Sequence, residues 1–399
     1  MKIVFLHNDF KVYWRGRLYF LQNFFRERNI QVHVIEIFGQ ESAYSFDNSG
    51  NEEEWWDCLF ETEKFSELST KMVSERIMNH LDSLNPDLLV CGPIAFTSGA
   101  IGMRWAYKRK KKVILFDDSK HSLYKRNFLV NFIKLSLTDL AEAILVPSTD
   151  YDLEYSKWKI KKEKLYYGLN CIDNNYFLPK REQQFLNTKQ IVCVARLVPI
   201  KNLESLLNCW KTIEKVEPEY SLTIVGDGPE YENLVNLKNK LELKEVSFTG
   251  NQTRGEIANI LSQSDVFILP SYMEGWAMVV NEAMAAGLPV ILSDQINAGH
   301  TLLKDSINGF AFNPYDSEQI TEAILKYIKL STEEKISMSQ QANLEIKKYN
   351  YDFLANQLLL AINTINKKKR KPLSLIDLVL IKLWSGKFKT SNWDTLQKN

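Results

Sequence analysis

What this chain lacks narrows its class before any motif is read. No run reaches the ~18 consecutive apolar residues that a membrane-spanning helix needs. The apolar part of the opening MKIVFLHNDF is also shorter than a secretory leader requires. Cysteine is scarce, and Cys58, Cys91, Cys171, Cys193 and Cys209 stand far apart with no Cys-x-x-Cys pair. That scatter excludes a disulfide scaffold and a zinc ribbon, and it fits a reduced, cytoplasmic chain. The five histidines show no metal-ligand spacing. A surplus of one charge is missing too, with 50 Lys and Arg against 49 Asp and Glu. Phosphate backbones call for a strongly basic face, so nucleic acid is not the expected partner.

What is present is a long alternation of short apolar runs and amphipathic stretches over 399 residues, enough for two domains with separate cores. In the first half, strands are expected at 2–6, 32–37, 87–91, 113–116 and 143–146, with helices near 16–28, 64–84, 98–108 and 123–138. A polar, acidic and aromatic stretch at roughly 39–60 reads as an acceptor-facing lid or as a surface excursion. The polar segment 178–188 reads as a linker. Alternation restarts with strands at 191–195, 221–225, 246–249 and 266–269, separated by helices. Such order is the signature of parallel sheets covered on both faces. Asp150-Tyr-Asp152 lies where a strand gives way to a helix, and it reads as helix-start acids complementing the dipole rather than as a metal motif.

The stretch VFILPSYMEGWAMVVNEAMAAGLPVI, residues 266–291, organises the rest. It reads as a buried strand, a polar elbow, an apolar helix closed by Gly287 and Pro289, and the start of another strand. Glu274 falls in the elbow, where a ligand beyond the sheet edge would lie. Glu282 falls inside the helix, about 10 Å further along its axis. Backbone amides at the helix start, Gly275, Trp276, Ala277 and Met278, suit an anion such as phosphate. A carboxylate on a buried helix needs good hydrogen bonds, which sugar hydroxyls or a structural cation would both supply. Hydroxyls at both ends and a diphosphate between describe a nucleotide-sugar.

Two cations, Arg196 and Lys201, follow the first strand of the second half in ARLVPIKN. Arg grips phosphate with a planar fork and Lys acts as a point charge, so the two can converge on a diphosphate. Gly226-Asp227-Gly228-Pro229 follows the next strand as a tight turn into a helix.

ARLVPIKN, GDGPE, FTGN at 248–251, and SYMEGWAMVVNEAMAAGLPVILSD at 271–294 stand in an order and spacing that resemble the family-4 retaining glycosyltransferases of GT-B fold. NGF at 308–310 and YGLNCIDNNYF at 167–177 are similar to further family landmarks. The resemblance implies an α/β architecture of two Rossmann-like domains facing across a cleft. An acceptor domain is expected over 1–180, a donor domain over 186–345 and a C-terminal helical segment over 346–399. It implies a hexosyl group moved from a UDP- or GDP-linked sugar to a hydroxyl of a glycan or lipid-linked acceptor, as in polysaccharide, capsule or lipopolysaccharide assembly. Neither metal nor cofactor is implied. Residue by residue, Arg196 and Lys201 match the diphosphate-neutralising pair, Glu282 the ribose ligand, and Glu274 the acid near the donor sugar. The amides from Gly275 through Met278 match those at sugar and phosphate, and Gly250 and Asn251 match the loop at the base. Retention would follow from same-face attack, with the departing phosphate oxygen taking the acceptor proton. Rivals are a phosphorylase-like or sucrose-type enzyme on the same fold, which the modest length disfavours, and a non-catalytic nucleotide-sugar-binding subunit.

The first half departs from the family pattern twice. HNDFKVYWRG replaces a glycine pair after the first strand, so that either Arg15-Gly16 substitutes as the phosphate contact or the contact is absent. VILFDDS places Asp117, followed by Asp118, where a histidine would approach the sugar, and His121 four residues on reads either as reaching the same space or as an exposed helix-start residue. Asp117 and His121 are accordingly carried as catalytic candidates. At the C-terminal end, a basic run and LSLIDLVLIKLWSGK read either as an interfacial anchor at the inner face of a membrane or as a helix returning to the first domain.

Overall fold

Strand β1 (Lys2–His7) shows why the sheet is parallel and doubly covered. Ile3, Val4, Phe5 and Leu6 are consecutive, and none is more than 1 % exposed. A run buried on both faces needs helices above and below it. The computed structural model describes residues 1–10, 12–40, 53–123, 127–178, 188–367 and 370–388. These form two units: Met1–Asn170 joined by the described residues from Tyr351 onward, and Cys171–Asn350.

In the first unit β1 is followed by β2 (Gln31–Phe38), β3 (Trp56–Phe60), β4 (Leu88–Cys91), β5 (Lys112–Phe116), β6 (Ala143–Leu145) and β7 (Leu165–Tyr166). All pair in parallel, in the order β3-β2-β1-β4-β5-β6-β7. The strand β3 corrects the reading of 39–60 as a lid or excursion. Its buried Trp56, Leu59 and Phe60 make it the outer strand beside β2. The remainder of that expectation, residues 41–52, lies outside the described residues, as do residues 179–187 of the expected linker.

Gly16 also differs from expectation. It sits inside the helix Tyr13–Arg26, and a Cβ there would stand 2.4 Å from the Tyr351 hydroxyl. Its bare backbone serves helix approach rather than a phosphate. Arg15 instead lies over the Trp56 ring, 5.4 Å from its centroid. Asp150 caps nothing with its side chain, and Asp152 pairs with Lys162 at 2.7 Å and accepts from the Tyr167 hydroxyl at 2.8 Å. The acids at that junction are structural, through a mechanism other than capping.

From Tyr351 the chain belongs to the first unit. Helix Tyr351–Asn366 buries Leu354, Leu358 and Ile362, and helix Leu375–Leu383 buries Ile381. Beyond it, the Trp384 indole donates to the Ile94 carbonyl at 2.6 Å, and Lys387 exchanges backbone hydrogen bonds with Ala95 and Thr97 at 2.9 and 3.1 Å. Asn8, just past β1, donates to the Phe388 carbonyl at 2.7 Å. The same helix leaves Leu375, Ile376, Val379 and Leu383 exposed. It therefore packs on one side and presents an apolar face on the other. No helix among the described residues is long and apolar enough to cross a membrane.

The second unit repeats the plan with β8 (Gln190–Val194), β9 (Ser221–Val225), β10 (Val246–Phe248), β11 (Val266–Leu269), β12 (Val290–Ser293) and β13 (Gly309–Phe312). Their order is β10-β9-β8-β11-β12-β13, again all parallel. Strand order reverses between β8 and β11, the switch point where ligands bind beyond the strand ends in open α/β sheets. Buried Asn308 braces the turn into β13 by donating to the Leu302 carbonyl at 2.9 Å and accepting from the Lys304 amide at 2.7 Å.

Candidate functional site

Both segments singled out in the second half leave the sheet at this switch point. After β8 the chain runs through exposed Arg196 into a short 3-10 turn, Pro199–Lys201, that ends on left-handed Asn202 (φ 56°). The Asn202 amide donates to the Pro314 carbonyl at 3.0 Å, which fixes the turn and hence the root of Lys201. After β11 the elbow is tied to that same turn, because the Tyr272 amide donates to the Ile200 carbonyl at 2.9 Å. The consequence is direct contact between Lys201 Nζ and Glu274 Oε1. Their side chains are 13 % and 11 % exposed, so the pair sits at the rim of the core rather than inside it.

Three further hydrogen bonds hold Glu274 and the residue after it. Ser271, itself fully buried, donates its hydroxyl to Oε1 at 2.8 Å. The Glu274 amide donates to the Gln295 carbonyl at 3.2 Å, and Asn297 donates to the carbonyl of Gly275 at 3.0 Å. An ammonium has three donors. Lys201 can hold Glu274 with one and still offer the others to an anion.

The helix begins two residues later than the apolar pattern suggests, at Met278, and it runs to Ala285. The Trp276 indole turns inward to donate to buried Asn281 at 2.9 Å, so its side chain belongs to the core and only its backbone is left as a candidate contact. Between them Ala277 takes a left-handed conformation, φ 78° and ψ 77°. A non-glycine residue in that region costs of order 1–3 kcal/mol and tends to mark a functional turn. Glu282 lies mid-helix among Val280–Ala285 and is 5 % exposed.

Two kinds of glycine surround these groups. A Cβ on Gly226 would come within 2.0 Å of the Ala195 carbonyl, so that glycine is demanded by the protein's own backbone. A Cβ on Gly275 would meet nothing within 4 Å, nor would one on Gly250. Gly250 accepts from the Gly226 amide at 2.9 Å, and Asn251 beside it is exposed. No protein atom accounts for a glycine at 275, and close approach of a ligand to that backbone would.

Asp117 and His121 belong to the first unit. Asp117 follows β5 and is buried, and both carboxylate oxygens are engaged. Oδ2 accepts from Lys134 at 2.7 Å, and Oδ1 accepts from the Ser119 amide and hydroxyl at 2.9 and 2.6 Å. Burial alone would raise its pKa, but Lys134 and Ser119 hold it below the usual carboxylate range. His121 lies against Trp158, ring centroids 5.4 Å apart, and Lys134 caps the same indole at 4.5 Å. The structure thus brings Lys201 and Glu274 into contact and places Asp117 in a satisfied ion pair. Sequence reading missed Ser271 and Asn297; the one available signal was a hydroxyl three residues before Glu274.

Two all-parallel sheets of this strand order define the GT-B fold. Residues 177–345 match the family model described as Glycosyl transferases group 1. An uncharacterized glycosyltransferase of Haemophilus influenzae is 29 % identical over 202 residues, covering 50 % of this chain and 56 % of that protein. The Escherichia coli UDP-Gal:alpha-D-GlcNAc-diphosphoundecaprenol alpha-1,3-galactosyltransferase is 34 % identical over 149 residues, 35 % of this chain and 36 % of that one. The matches to these two curated relatives thus span about half of their length or less. In architecture the chain is similar to Anabaena HepE in complex with UDP, with a TM-score of 0.71 at 16 % identity, covering 91 % of this chain and all of that one.

Proposed function

We propose that the chain is a metal-independent, retaining glycosyltransferase. It moves a hexosyl group from a uridine diphosphate sugar to a hydroxyl of a glycan or lipid-linked acceptor. The observation that carries this reading is the Lys201–Glu274 pair at the switch point of the second unit, beside the strained start of the helix that carries Glu282. Lys201 and Arg196 neutralise the diphosphate, with the amides at Gly275–Met278 adding the positive end of the helix. Their charge is worth most as the bond to the sugar breaks and negative charge gathers on the leaving oxygen. Glu274, once Lys201 turns toward phosphate, accepts from sugar hydroxyls, and Glu282 accepts from the ribose. The acceptor proton passes to the departing phosphate oxygen, so no separate base is required. The donor named for the Escherichia coli relative and the UDP bound to HepE support uridine as the base.

We further propose that the protein works at a membrane surface. Exposed Leu375, Ile376, Val379 and Leu383 stand on a helix that packs against Phe128–Thr138, where Phe128 and Leu129 are also exposed, with Lys367 and Lys382 nearby in sequence and open to solvent. Interfacial binding combines such an apolar face with basic residues.

A thermal-shift panel of UDP-, GDP-, ADP- and dTDP-sugars tests the central claim. Ligand at about 100 times its dissociation constant adds roughly 2.7 kcal/mol of stability. The UDP-sugar arm should respond. Glu282→Ala should weaken donor binding by about 1.5–3 kcal/mol, the range for a charged hydrogen bond. Undiminished donor affinity in that variant would remove Glu282 from the site, and silence from all four donors would sink the transferase reading.

A further inference from the structure

The fold assembles a cluster at the β3 edge of the first unit's sheet that the proposed activity does not use. His33 is the third residue of β2, Asp57 the second of β3, and His80 lies in the helix Thr70–Leu84. Asp57 Oδ2 lies 2.6 Å from His33 Nε2 and 2.7 Å from His80 Nε2. The three ligand atoms all lie within 4.8 Å of one another. The side chains are 16 %, 35 % and 29 % exposed for His33, Asp57 and His80, so solvent reaches them without dissolving the arrangement.

We infer that His33, Asp57 and His80 form a binding site for a single first-row divalent cation of zinc type. Two imidazole nitrogens and one carboxylate oxygen lie close enough together to share a single ion. Two nitrogens and one oxygen suit zinc, whereas magnesium and calcium favour oxygen-rich sites. Small side-chain rotations open the observed contacts to the separations of a tetrahedral centre with metal–ligand bonds of about 2.0–2.2 Å, and water completes the fourth position. Each neutral imidazole then coordinates through Nε2 and carries its proton on Nδ1.

The position gives the site its role. The cluster lies at the amino ends of β2 and β3, away from the loops at the carboxyl ends where ligands of this fold bind. A cation there ties the outermost strand β3 both to β2 and to the helix that follows it. It is a clamp on an edge, which an outer strand with one open side would otherwise lack. Spacing in sequence could not reveal it, because Asp57 stands 24 residues after His33 and 23 before His80.

Calorimetric titration of the chelator-stripped full chain with Zn²⁺ tests the site, with thermal unfolding alongside. One saturable equivalent and a raised Tm are expected, with no comparable rise from Mg²⁺. His80→Gln and Asp57→Asn should each weaken Zn²⁺ binding by about a hundredfold, the upper end of what loss of even a supporting group costs. In the unsubstituted protein, Co²⁺ should give the intense visible absorption of a tetrahedral nitrogen–oxygen site, which keeps the test independent of how the variants fold. Absence of a saturable equivalent, affinity undiminished from that of the unsubstituted protein in both variants, or an octahedral Co²⁺ spectrum overturns the inference.

Discussion

Each unit carries a lysine–carboxylate pair beyond the carboxyl end of a strand, and the two pairs have different fates. In the first unit Lys134 and Asp117 are 8 % and 2 % exposed, and Ser119 takes up the second carboxylate oxygen. In the second unit Lys201 and Glu274 are more open and lie just before a helix start where a Cβ on Gly275 would meet nothing within 4 Å. The same two charges make a strut when sealed, whereas at a rim they are placed to act as the docking point proposed above. Identity of residue type therefore does not decide function; the remaining hydrogen-bonding capacity does.

Breaking the strut should produce the largest effect. Lys134→Met leaves a buried carboxylate unpaired, at a cost of about 3–5 kcal/mol. At roughly 2–4 °C per kcal/mol for a domain of this size, unfolding scans would show it plainly. Asp117 has a depressed folded pKa, so its stabilisation is present above the unfolded value of about 3.9 and is lost as pH falls through the folded one. The wild type should accordingly lose stability in strong acid, and the variant should lack that part of the loss. A mild change in Tm accompanied by lost turnover would instead place Asp117 in the chemistry.

Lys201→Ala should do the reverse. Removing one donor aimed at developing charge typically costs about 10²–10³ in kcat. Steady-state kinetics should show that loss with a smaller fall in Tm than Lys134→Met gives. If Lys201→Ala proves the more destabilising of the two, the distinction between strut and docking point collapses.

The smallest expected effect sharpens the picture of the rim. Ala277→Gly relieves a left-handed alanine and should stabilise the protein by about 1 kcal/mol in urea unfolding. Loosening the helix start should at the same time weaken donor binding. A gain in both stability and affinity would mean that the strain does nothing for the site.

Much of this was legible before folding, for physical reasons that differ by residue. Strands such as Ile3–Leu6 and Val266–Leu269 are buried on both faces, and their uninterrupted apolar runs announce it. Trp56–Phe60 is an outer strand interrupted by Asp57 and preceded by Glu52-Glu53-Glu54, so its few apolar residues merge into an acidic, aromatic stretch. Leu165–Tyr166 is too short to leave any pattern. Lys201 and Glu274 could be picked out from their neighbouring motifs, but their contact spans 73 residues and depends on the Tyr272 to Ile200 hydrogen bond. Trp276 shows the limit most clearly. Its place in the motif is correct, yet its side chain faces the core because Asn281 one turn on supplies a buried acceptor.

The return of the chain to the first unit at Tyr351 has a consequence for how the protein is made. Cys171–Asn350, all of the second unit's described residues, emerges between the two parts of the first. At about 5–20 residues per second, synthesis of that insert takes on the order of ten to forty seconds. Through that interval β1 to β7 wait on the ribosome without the helix Tyr351–Asn366 that covers Gly16 and without the strand-like segment at Lys387. The second unit can finish folding while the first is still incomplete, so the unit that begins first is completed last.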